Sequence, residues 1–202
     1  GKVNKKIQKL EEEERVKEEA ADNRSVSEKF ADCLILGDSI TQGLYEYGVL
    51  DEANVQADRG TEVSEVSSKK IEEHIKKAKE MKPEVLFLAY GMNDIEAQNG
   101  NASGFVKAYK NVIEDLKESL PDTKIYVNCI LPAAQSAIET RPLFANVPKF
   151  NQKLKKLCKK EKVTFIDNTD LVKQEYYADD GIHMSPSYYT KWVDHMAEAA
   201  GL

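Results

Sequence analysis

The sequence predicts an α/β protein with one parallel sheet and helices on both of its faces. Short apolar runs alternate with longer segments of helical periodicity along most of the chain. No two apolar runs are joined by the short turn of a β-hairpin. The first run also stops at a small polar turn, as strands do at the ligand-binding edge of open α/β sheets. Five strands with the first near the centre predict the doubly wound order 2-1-3-4-5.

Each predicted strand is an apolar run bounded by turn residues or by charge. The strands are predicted at 31–36, 55–57, 84–90, 124–130 and 163–166. The first strand ends at Gly37-Asp38-Ser39, and the third ends at Gly91-Met92-Asn93-Asp94. Because parallel strands present their carboxyl ends at one edge of the sheet, these two turns should lie side by side.

Between the strands, apolar residues three and four apart predict amphipathic helices. The helices are predicted at 40–47, 64–81, 103–120, 146–160 and from Ser185 or Ser187 to about residue 200. Pro83 follows the end of the second helix, and Ser103 stands at the start of the third. Residues 131–144 read as a long loop, of the kind that often lines a site.

Composition restricts the function classes. The 202 residues carry a net charge of −6, and the isoelectric point is near 5.3. Nucleic acid is therefore not an expected partner, because phosphate binding needs a basic face. No apolar run approaches the length of a membrane span. The three cysteines form no Cys-x-x-Cys motif or Cys/His cluster, so we do not expect a structural zinc site.

The chain divides into a charged segment, residues 1–26, and a domain, residues 27–202. Opposite charges four residues apart, such as Glu11 and Arg15, favour a helix in the first segment. A thin apolar stripe fades after three positions, which disfavours a coiled coil. The stripe is formed by Val3, Ile7 and Leu10.

Two interpretations of this segment stay open. It is a solvated helix that packs on the domain through its stripe, or a stalk between the domain and a membrane anchor. The chain starts at Gly1 and not at a methionine, so we expect that a leader or anchor has been removed. This expectation favours an extracellular or cell-surface location over the cytoplasm. Oligomeric state is not encoded in any pattern that we recognise.

Ser39 is the candidate nucleophile. It follows a predicted buried strand and stands where the next helix begins. The alternative is an ordinary turn with a helix cap. A serine hydroxyl needs a base within hydrogen-bonding reach, usually a histidine whose other nitrogen is held by an acceptor. The nucleophile hypothesis therefore depends on the histidines.

Of the three histidines, His183 is the best candidate base. His74 lies among lysines and glutamates and is predicted to be a surface residue, and nothing near His195 indicates a role. His183 lies in a polar loop after the last strand, at the same edge of the sheet as Ser39. Asp180 precedes it by three residues and can accept a hydrogen bond from Nδ1. The alternative is that Asp180 only forms a turn and His183 only caps a helix.

Two further segments offer donors for a tetrahedral oxyanion. The Asn93 carboxamide should lie beside Ser39, and an uncharged donor suits this task. Gly60, in the loop after the second strand, can present its backbone N–H, as can Ser39. The alternatives are a left-handed turn at Asn93 and a simple turn glycine at Gly60.

Together these segments resemble the SGNH (GDSL-type) hydrolase family. The resemblance is carried in order by Gly37-Asp38-Ser39, Gly60, Gly91-x-Asn93-Asp94 and Asp180-x-x-His183. It implies a flavodoxin-like three-layer α/β/α fold and a triad of Ser39, His183 and Asp180. It also implies an oxyanion hole from the Ser39 and Gly60 N–H groups and the Asn93 side chain, with no metal or cofactor.

The predicted function is a serine esterase that removes short acyl groups, such as O-acetyl, from carbohydrate through an acyl-serine intermediate. Tyr90, Met92 and Met184 are predicted to line the substrate pocket, and Tyr90 stands where the family more often has a small or aliphatic residue. The expected partner is therefore a small-molecule or glycan acyl ester. A lysophospholipase, a thioesterase and a glycan O-acyltransferase would share the site. A non-catalytic glycan-binding module is disfavoured, because all triad positions are occupied.

Overall fold

The computed structural model describes residues 1–19 and 22–202 of the chain. Within them, five parallel strands form a sheet in the order β2-β1-β3-β4-β5, which confirms the predicted topology. The strands are β1 (Cys33–Gly37), β2 (Val55–Ala57), β3 (Val85–Ala89), β4 (Lys124–Asn128) and β5 (Thr164–Ile166). All five predicted strands are present, and the second has the predicted bounds.

Helices connect the strands and cover the sheet. They are α1 (Lys2–Glu19), α2 (Val26–Lys29), α3 (Ser39–Glu46), α4 (Lys70–Met81), α5 (Met92–Ala97), α6 (Ala102–Ser119), α7 (Gln135–Thr140), α8 (Val147–Glu161) and α9 (Pro186–Ala200). Short 3-10 helices occupy Glu52–Asn54, Pro142–Asn146, Thr169–Leu171 and Gln174–Tyr176.

The alternation of side chains along β1 divides the core into two layers. Leu34 and Leu36 pack on one face of the sheet, in a cluster with residues of α4, α6 and α8. Cys33 and Ile35 point to the opposite face, where α3 and α9 cover the sheet. The result is a three-layer α/β/α sandwich, in which both faces of a parallel sheet are buried.

The strand register brings three chain segments together at one edge. Gly37, the last residue of β1, pairs with Ala57 of β2 on one side and with Ala89 of β3 on the other. The residues that follow these three positions are therefore neighbours. This edge holds the predicted Ser39, Gly60 and Asn93 segments.

Two predicted elements differ from the structure. The helix predicted from residue 64 begins at Lys70, because side-chain carboxylates accept hydrogen bonds from backbone N–H groups before that residue. Asp94 accepts from the Val63 and Ser64 N–H groups, and Glu62 accepts from the Ser67 N–H. The loop predicted at 131–144 contains α7 and the start of a 3-10 helix. Its two prolines bracket α7 and do not interrupt it.

The N-terminal helix α1 stands apart from the core. Every residue from 1 to 16 is exposed, including Val3, Ile7 and Leu10 of the apolar stripe. The stripe therefore does not pack on the domain. The charged segment at residues 1–26, for which a helix is predicted, also includes residues 20 and 21, which lie outside the described residues. No helix in the described ranges has the length and apolar character needed to cross a bilayer.

Candidate active site

Ser39 is the first residue of α3 and lies directly beyond β1. The helix is capped by Asp38, whose Oδ1 accepts a hydrogen bond of 3.0 Å from the Ile40 N–H. The cap is thus Asp38 and not Ser39, which leaves the serine side chain free of a capping role. Strand, cap and helix together fix the Ser39 hydroxyl at the carboxyl edge of the sheet.

His183 is held by a compact turn in the loop before α9. Asp180 Oδ1 accepts from the backbone N–H groups of Ile182 and His183, each at 2.9 Å. The His183 carbonyl accepts from the Ala178 N–H at 2.8 Å. The spacing of three residues therefore builds an Asx turn that orients the imidazole before any contact with the rest of the site.

A continuous hydrogen-bonded chain joins the three predicted residues. Ser39 Oγ lies 2.7 Å from His183 Nε2, and His183 Nδ1 lies 2.5 Å from Asp180 Oδ2. Partial burial acts to raise the pKa of Asp180, but hydrogen bonds from Ile182 and His183 outweigh it and lower that pKa. Asp180 is therefore ionised at neutral pH and can accept from Nδ1–H. This polarity leaves the Nε2 lone pair facing the serine hydroxyl.

Direct packing of α9 on α3 holds His183 close to Ser39. The Tyr189 hydroxyl donates to the Ile40 carbonyl at 2.6 Å. A side-chain carbon at Gly43 would overlap the Tyr189 ring, so glycine permits the close approach. Ser39 and His183 are far apart in sequence, and this helix pair is what holds them within hydrogen-bonding distance.

The predicted oxyanion donors lie in neighbouring loops. Asn93 Nδ2 donates to the Thr61 carbonyl at 3.1 Å, which uses one of its two N–H groups and places it beside Gly60. Gly60 has a φ of +81°, a conformation that favours glycine. Among the described residues, no hydrogen bond uses the backbone N–H of Ser39 or of Gly60. Both remain available to an external acceptor.

Two buried carboxyl groups brace these loops. Asp94 accepts from Val63 N–H and from both the N–H and the hydroxyl of Ser64, which ties the Gly60 loop to α5. Burial raises the pKa of Asp94 to about 6, against the lowering effect of these bonds. Burial likewise raises the pKa of Asp38 to about 7.

An open cleft of about 590 Å³ lies over the Ser39 hydroxyl. Polar and apolar surface contribute about equally to its lining, and the exposed Tyr47 stands at one side. The cleft is lined by Ser39, Gln42, Gly43, Glu46, Tyr47, Arg59, Asp180, His183, Met184 and Tyr189.

The three predicted pocket residues have different surroundings. Met184 borders the cleft but is only 2% exposed, and Met92 is half-buried. Tyr90 faces the interior, where it is 2% exposed and its hydroxyl contacts His74 Nδ1 at 2.7 Å. Tyr90 and Met92 border a small separate pocket of about 30 Å³, lined also by Asp38, and do not line the cleft.

The sequence interpretation also placed His74 wrongly. It is fully buried and not at the surface, and its Nε2 contacts Asp58 Oδ2 at 2.6 Å. A sequence signal for this burial exists. Ile71 and Ala78 lie three residues before it and four after it on one helix face, and both are buried. The flanking lysines and glutamates cover the other faces of α4.

No group of side chains among the described residues has the arrangement of a metal site. The three cysteines are buried free thiols. Burial raises the pKa of each thiol to about 12, so none is a reactive thiolate at neutral pH.

The fold is the three-layer α/β sandwich of GDSL hydrolases. The sequence profile of the "GDSL-like Lipase/Acylhydrolase family" matches residues 35–191, which is most of the chain. The chain therefore belongs to that family, and the resemblance found in the sequence is confirmed. No curated protein sequence matches the chain significantly.

Solved structures with the same fold have low sequence identity to the chain. A GDSL-like lipase from Bacteroides thetaiotaomicron has a TM-score of 0.66 at 16% identity, covering 84% of this chain and 87% of its own. A carbohydrate esterase family 3 protein from Talaromyces cellulolyticus has a TM-score of 0.64 at 16% identity, with 83% and 95% covered. A mutant acetyl-xylooligosaccharide esterase from Geobacillus has a TM-score of 0.61 at 14% identity, with 84% and 94% covered.

Proposed function

We propose that the chain is a serine esterase that removes short acyl groups, O-acetyl above all, from carbohydrate. The observation that carries this proposal is the continuous hydrogen-bonded chain from Asp180 through His183 to Ser39. It provides a nucleophile, a base and an orienting acid at the edge of the sheet where α/β enzymes bind their ligands.

The mechanism follows from the atoms that face one another. His183 Nε2 takes the Ser39 proton while Oγ attacks the ester carbonyl, and the tetrahedral oxyanion forms. The Ser39 and Gly60 N–H groups and the Asn93 carboxamide stabilise that charge. His183 then returns the proton to the departing alcohol, which leaves an acyl-serine ester. Water, activated by the same imidazole, hydrolyses this ester and restores Ser39.

The cleft supports a carbohydrate as the alcohol part of the substrate. Gln42, Glu46 and Arg59 offer donors and acceptors for hydroxyl groups, and Tyr47, a residue that is 47% exposed, offers an aromatic face. Two structural neighbours are described as a carbohydrate esterase and an acetyl-xylooligosaccharide esterase, which agrees with this substrate class. The exposed helix α1 supports the further proposal that it acts as a spacer, outside the catalytic domain.

The first test is hydrolysis of p-nitrophenyl acetate by the wild type and by Ser39→Ala and His183→Ala. We expect each variant to lose activity by a factor on the order of 10^4 or more, because triad residues act as a unit. Ser187→Ala is the matched control, since Ser187 is an exposed serine on α9, and it should keep full activity. An inert wild type, or an active Ser39→Ala, would overturn the proposal.

The second test separates the functions that share this site. Acetylated xylo-oligosaccharide should be a better substrate than p-nitrophenyl butyrate or palmitate. Preference for long chains would instead identify a lysophospholipase or thioesterase. Acyl transfer to an added sugar that exceeds hydrolysis would identify an O-acyltransferase. Binding of the oligosaccharide without turnover would identify a glycan-binding module.

A further inference from the structure

A second hydrogen-bonded trio lies behind the active site and takes no direct part in the proposed chemistry. His74 Nε2 is 2.6 Å from Asp58 Oδ2, and His74 Nδ1 is 2.7 Å from the Tyr90 hydroxyl. The histidine side chain has no exposed surface. A fully buried imidazole with a partner on each nitrogen is costly to build, because every polar group must be satisfied.

The trio connects the two loops that carry the candidate oxyanion donors. Asp58 directly follows β2 and begins the turn that contains Gly60. Tyr90 directly follows β3 and stands three residues before Asn93. His74 comes from α4, a third element, and lies between them. Its position therefore fixes the distance between the β2 loop and the β3 loop.

The turn that carries Gly60 is hydrogen-bonded to the backbone of Asp58. The Asp58 carbonyl accepts from both the N–H and the hydroxyl of Thr61, at 3.2 Å and 2.7 Å. The Asp58 N–H in turn donates to the Gly37 carbonyl at 3.2 Å. Because the turn closes on Asp58, a side-chain anchor on Asp58 also anchors the Gly60 N–H.

The chemistry of the trio fixes the direction of its hydrogen bonds. Burial lowers the pKa of His74, although Asp58 acts to raise it, so the imidazole is neutral at neutral pH. Nε2–H then donates to the Asp58 carboxylate, and Nδ1 accepts from the Tyr90 hydroxyl. Hydrogen bonds are thus donated in one direction, from the Tyr90 hydroxyl to His74 and from His74 to Asp58. Removal of either partner leaves a buried His74 nitrogen without a hydrogen bond.

We propose that His74 is a positioning residue of the esterase, which holds the Gly60 turn against the Asn93 loop so that both donors reach the same oxyanion. This inference rests on the proposed serine esterase function. The Asn93–Thr61 and Asp94–Ser64 bonds connect the same loops further along the chain. His74 is the link nearest the end of β2, where the turn begins.

The test measures kcat and KM for p-nitrophenyl acetate in Tyr90→Phe, His74→Asn, Asp58→Ala and Asp58→Asn. Misplacement of a catalytic group by about 1 Å can cost on the order of 100-fold in rate. We therefore expect kcat to fall about 10- to 100-fold in His74→Asn and Asp58→Ala, with KM changed less than about threefold. Tyr90→Phe should be milder, and Asp58→Asn should recover most of the rate, because its amide oxygen still accepts from Nε2–H.

A second readout reports on the oxyanion itself. The rate of inactivation by a p-nitrophenyl alkylphosphonate depends on donors to a tetrahedral, negatively charged centre. It should fall in parallel with kcat across the four variants. Asn54→Ala is the structural control. Its side chain bonds the carbonyls of Phe30 and Cys33 at the opposite end of β1, so it should lower stability and leave both rates unchanged.

Four results decide whether His74 has this role. Parallel losses of kcat and of phosphonate reactivity in folded variants, with KM nearly constant, would support the positioning role. The positioning role would be overturned if folded His74→Asn and Asp58→Ala kept the wild-type kcat. It would also be overturned if Asn54→Ala lost as much kcat and phosphonate reactivity as these two variants. An inert wild-type protein would instead refute the esterase function itself, so the two failures are distinguishable.

Discussion

The direction of the Asp180–His183–Ser39 chain depends on what each atom can donate. An ionised carboxylate only accepts, so Asp180 selects the tautomer in which His183 carries its proton on Nδ1. Nε2 then keeps the lone pair that accepts the Ser39 proton. The Asp180 side chain thus sets both the orientation and the tautomer of His183.

Asp180→Asn should separate these two effects. The amide oxygen can still accept from the Ile182 and His183 N–H groups, so the turn should survive. The amide N–H2 group, however, faces Nδ1 and favours the tautomer with its proton on Nε2. We expect kcat to fall roughly 10^3- to 10^4-fold, with little loss of thermal stability. Equal losses of kcat and folded structure would contradict this account.

Asp38 gives a prediction about the pH dependence of folding. Its pKa is raised by burial from 3.8 to about 7, so the folded state keeps a proton that the unfolded state has released. Stability from this group is therefore present below about pH 4 and is lost as the pH rises through about 7. The loss is at most about 4 kcal/mol, the free energy of that change in pKa.

Asp38→Asn removes this titration and keeps an acceptor for the Ile40 N–H. Urea denaturation at pH 4.5 and pH 7.5 should show that the wild type loses more stability than the variant over this interval. Asp94 contributes a loss of the same sign in both proteins, because its pKa is also raised. An identical loss in wild type and variant would show that Asp38 is ionised throughout.

At the level of elements, the packing of α3 on α9 controls the reach of His183 to Ser39. Gly43→Ala places a methyl group against the Tyr189 ring and must push the helices apart. We expect a destabilisation of about 1–3 kcal/mol, typical of an overpacked core, together with a loss of kcat. Thermal denaturation and p-nitrophenyl acetate turnover measure the two effects.

Tyr189→Leu is the partner variant for this prediction. Alone, it removes the hydrogen bond to the Ile40 carbonyl and part of the ring packing. Combined with Gly43→Ala, it makes room for the added methyl group. The double variant should therefore be more stable than the sum of the single effects predicts. Strict additivity would show that the two residues do not compete for space.

The predicted elements were most accurate where local pattern and burial agree. The strand at 55–57 and the end of the helix at Met81 follow directly from apolar runs and from Pro83. The start of that helix does not, because the Asp94 carboxylate accepts from the N–H groups of Val63 and Ser64, and that of Glu62 accepts from the Ser67 N–H. Such capture depends on tertiary contacts that helical periodicity does not encode.

In the site, too, local sequence patterns were predictive and tertiary contacts were not. Ser39, Asp180 and His183 carry distinctive chemistry in short segments, so sequence spacing was enough to predict that their side chains lie together. His74 was missed because charged neighbours on α4 suggested exposure, while its partners Asp58 and Tyr90 are distant in sequence. The pocket prediction for Tyr90 depended on a strand-end position and not on side-chain direction, and the ring points inward.

At the scale of the whole molecule, α1 contributes little to the domain. Because residues 1–16 are exposed, deletion of residues 1–22 should leave the melting temperature and the esterase kcat unchanged. Differential scanning calorimetry and p-nitrophenyl acetate hydrolysis check both. A fall in melting temperature of several degrees would show that the segment stabilises the domain, contrary to the stalk interpretation.

The separation of Ser39 from His183 along the chain has a consequence for how the protein acquires activity. A ribosome that has completed the chain as far as Asn93 has made the proposed nucleophile and every proposed oxyanion donor, but not the proposed base. In the proposed mechanism, the serine can react only when the chain has grown past His183 and α9 has docked on α3. A nascent chain that ends before His183 should therefore be inert toward esters, and onset of turnover during synthesis would report the last docking step of folding.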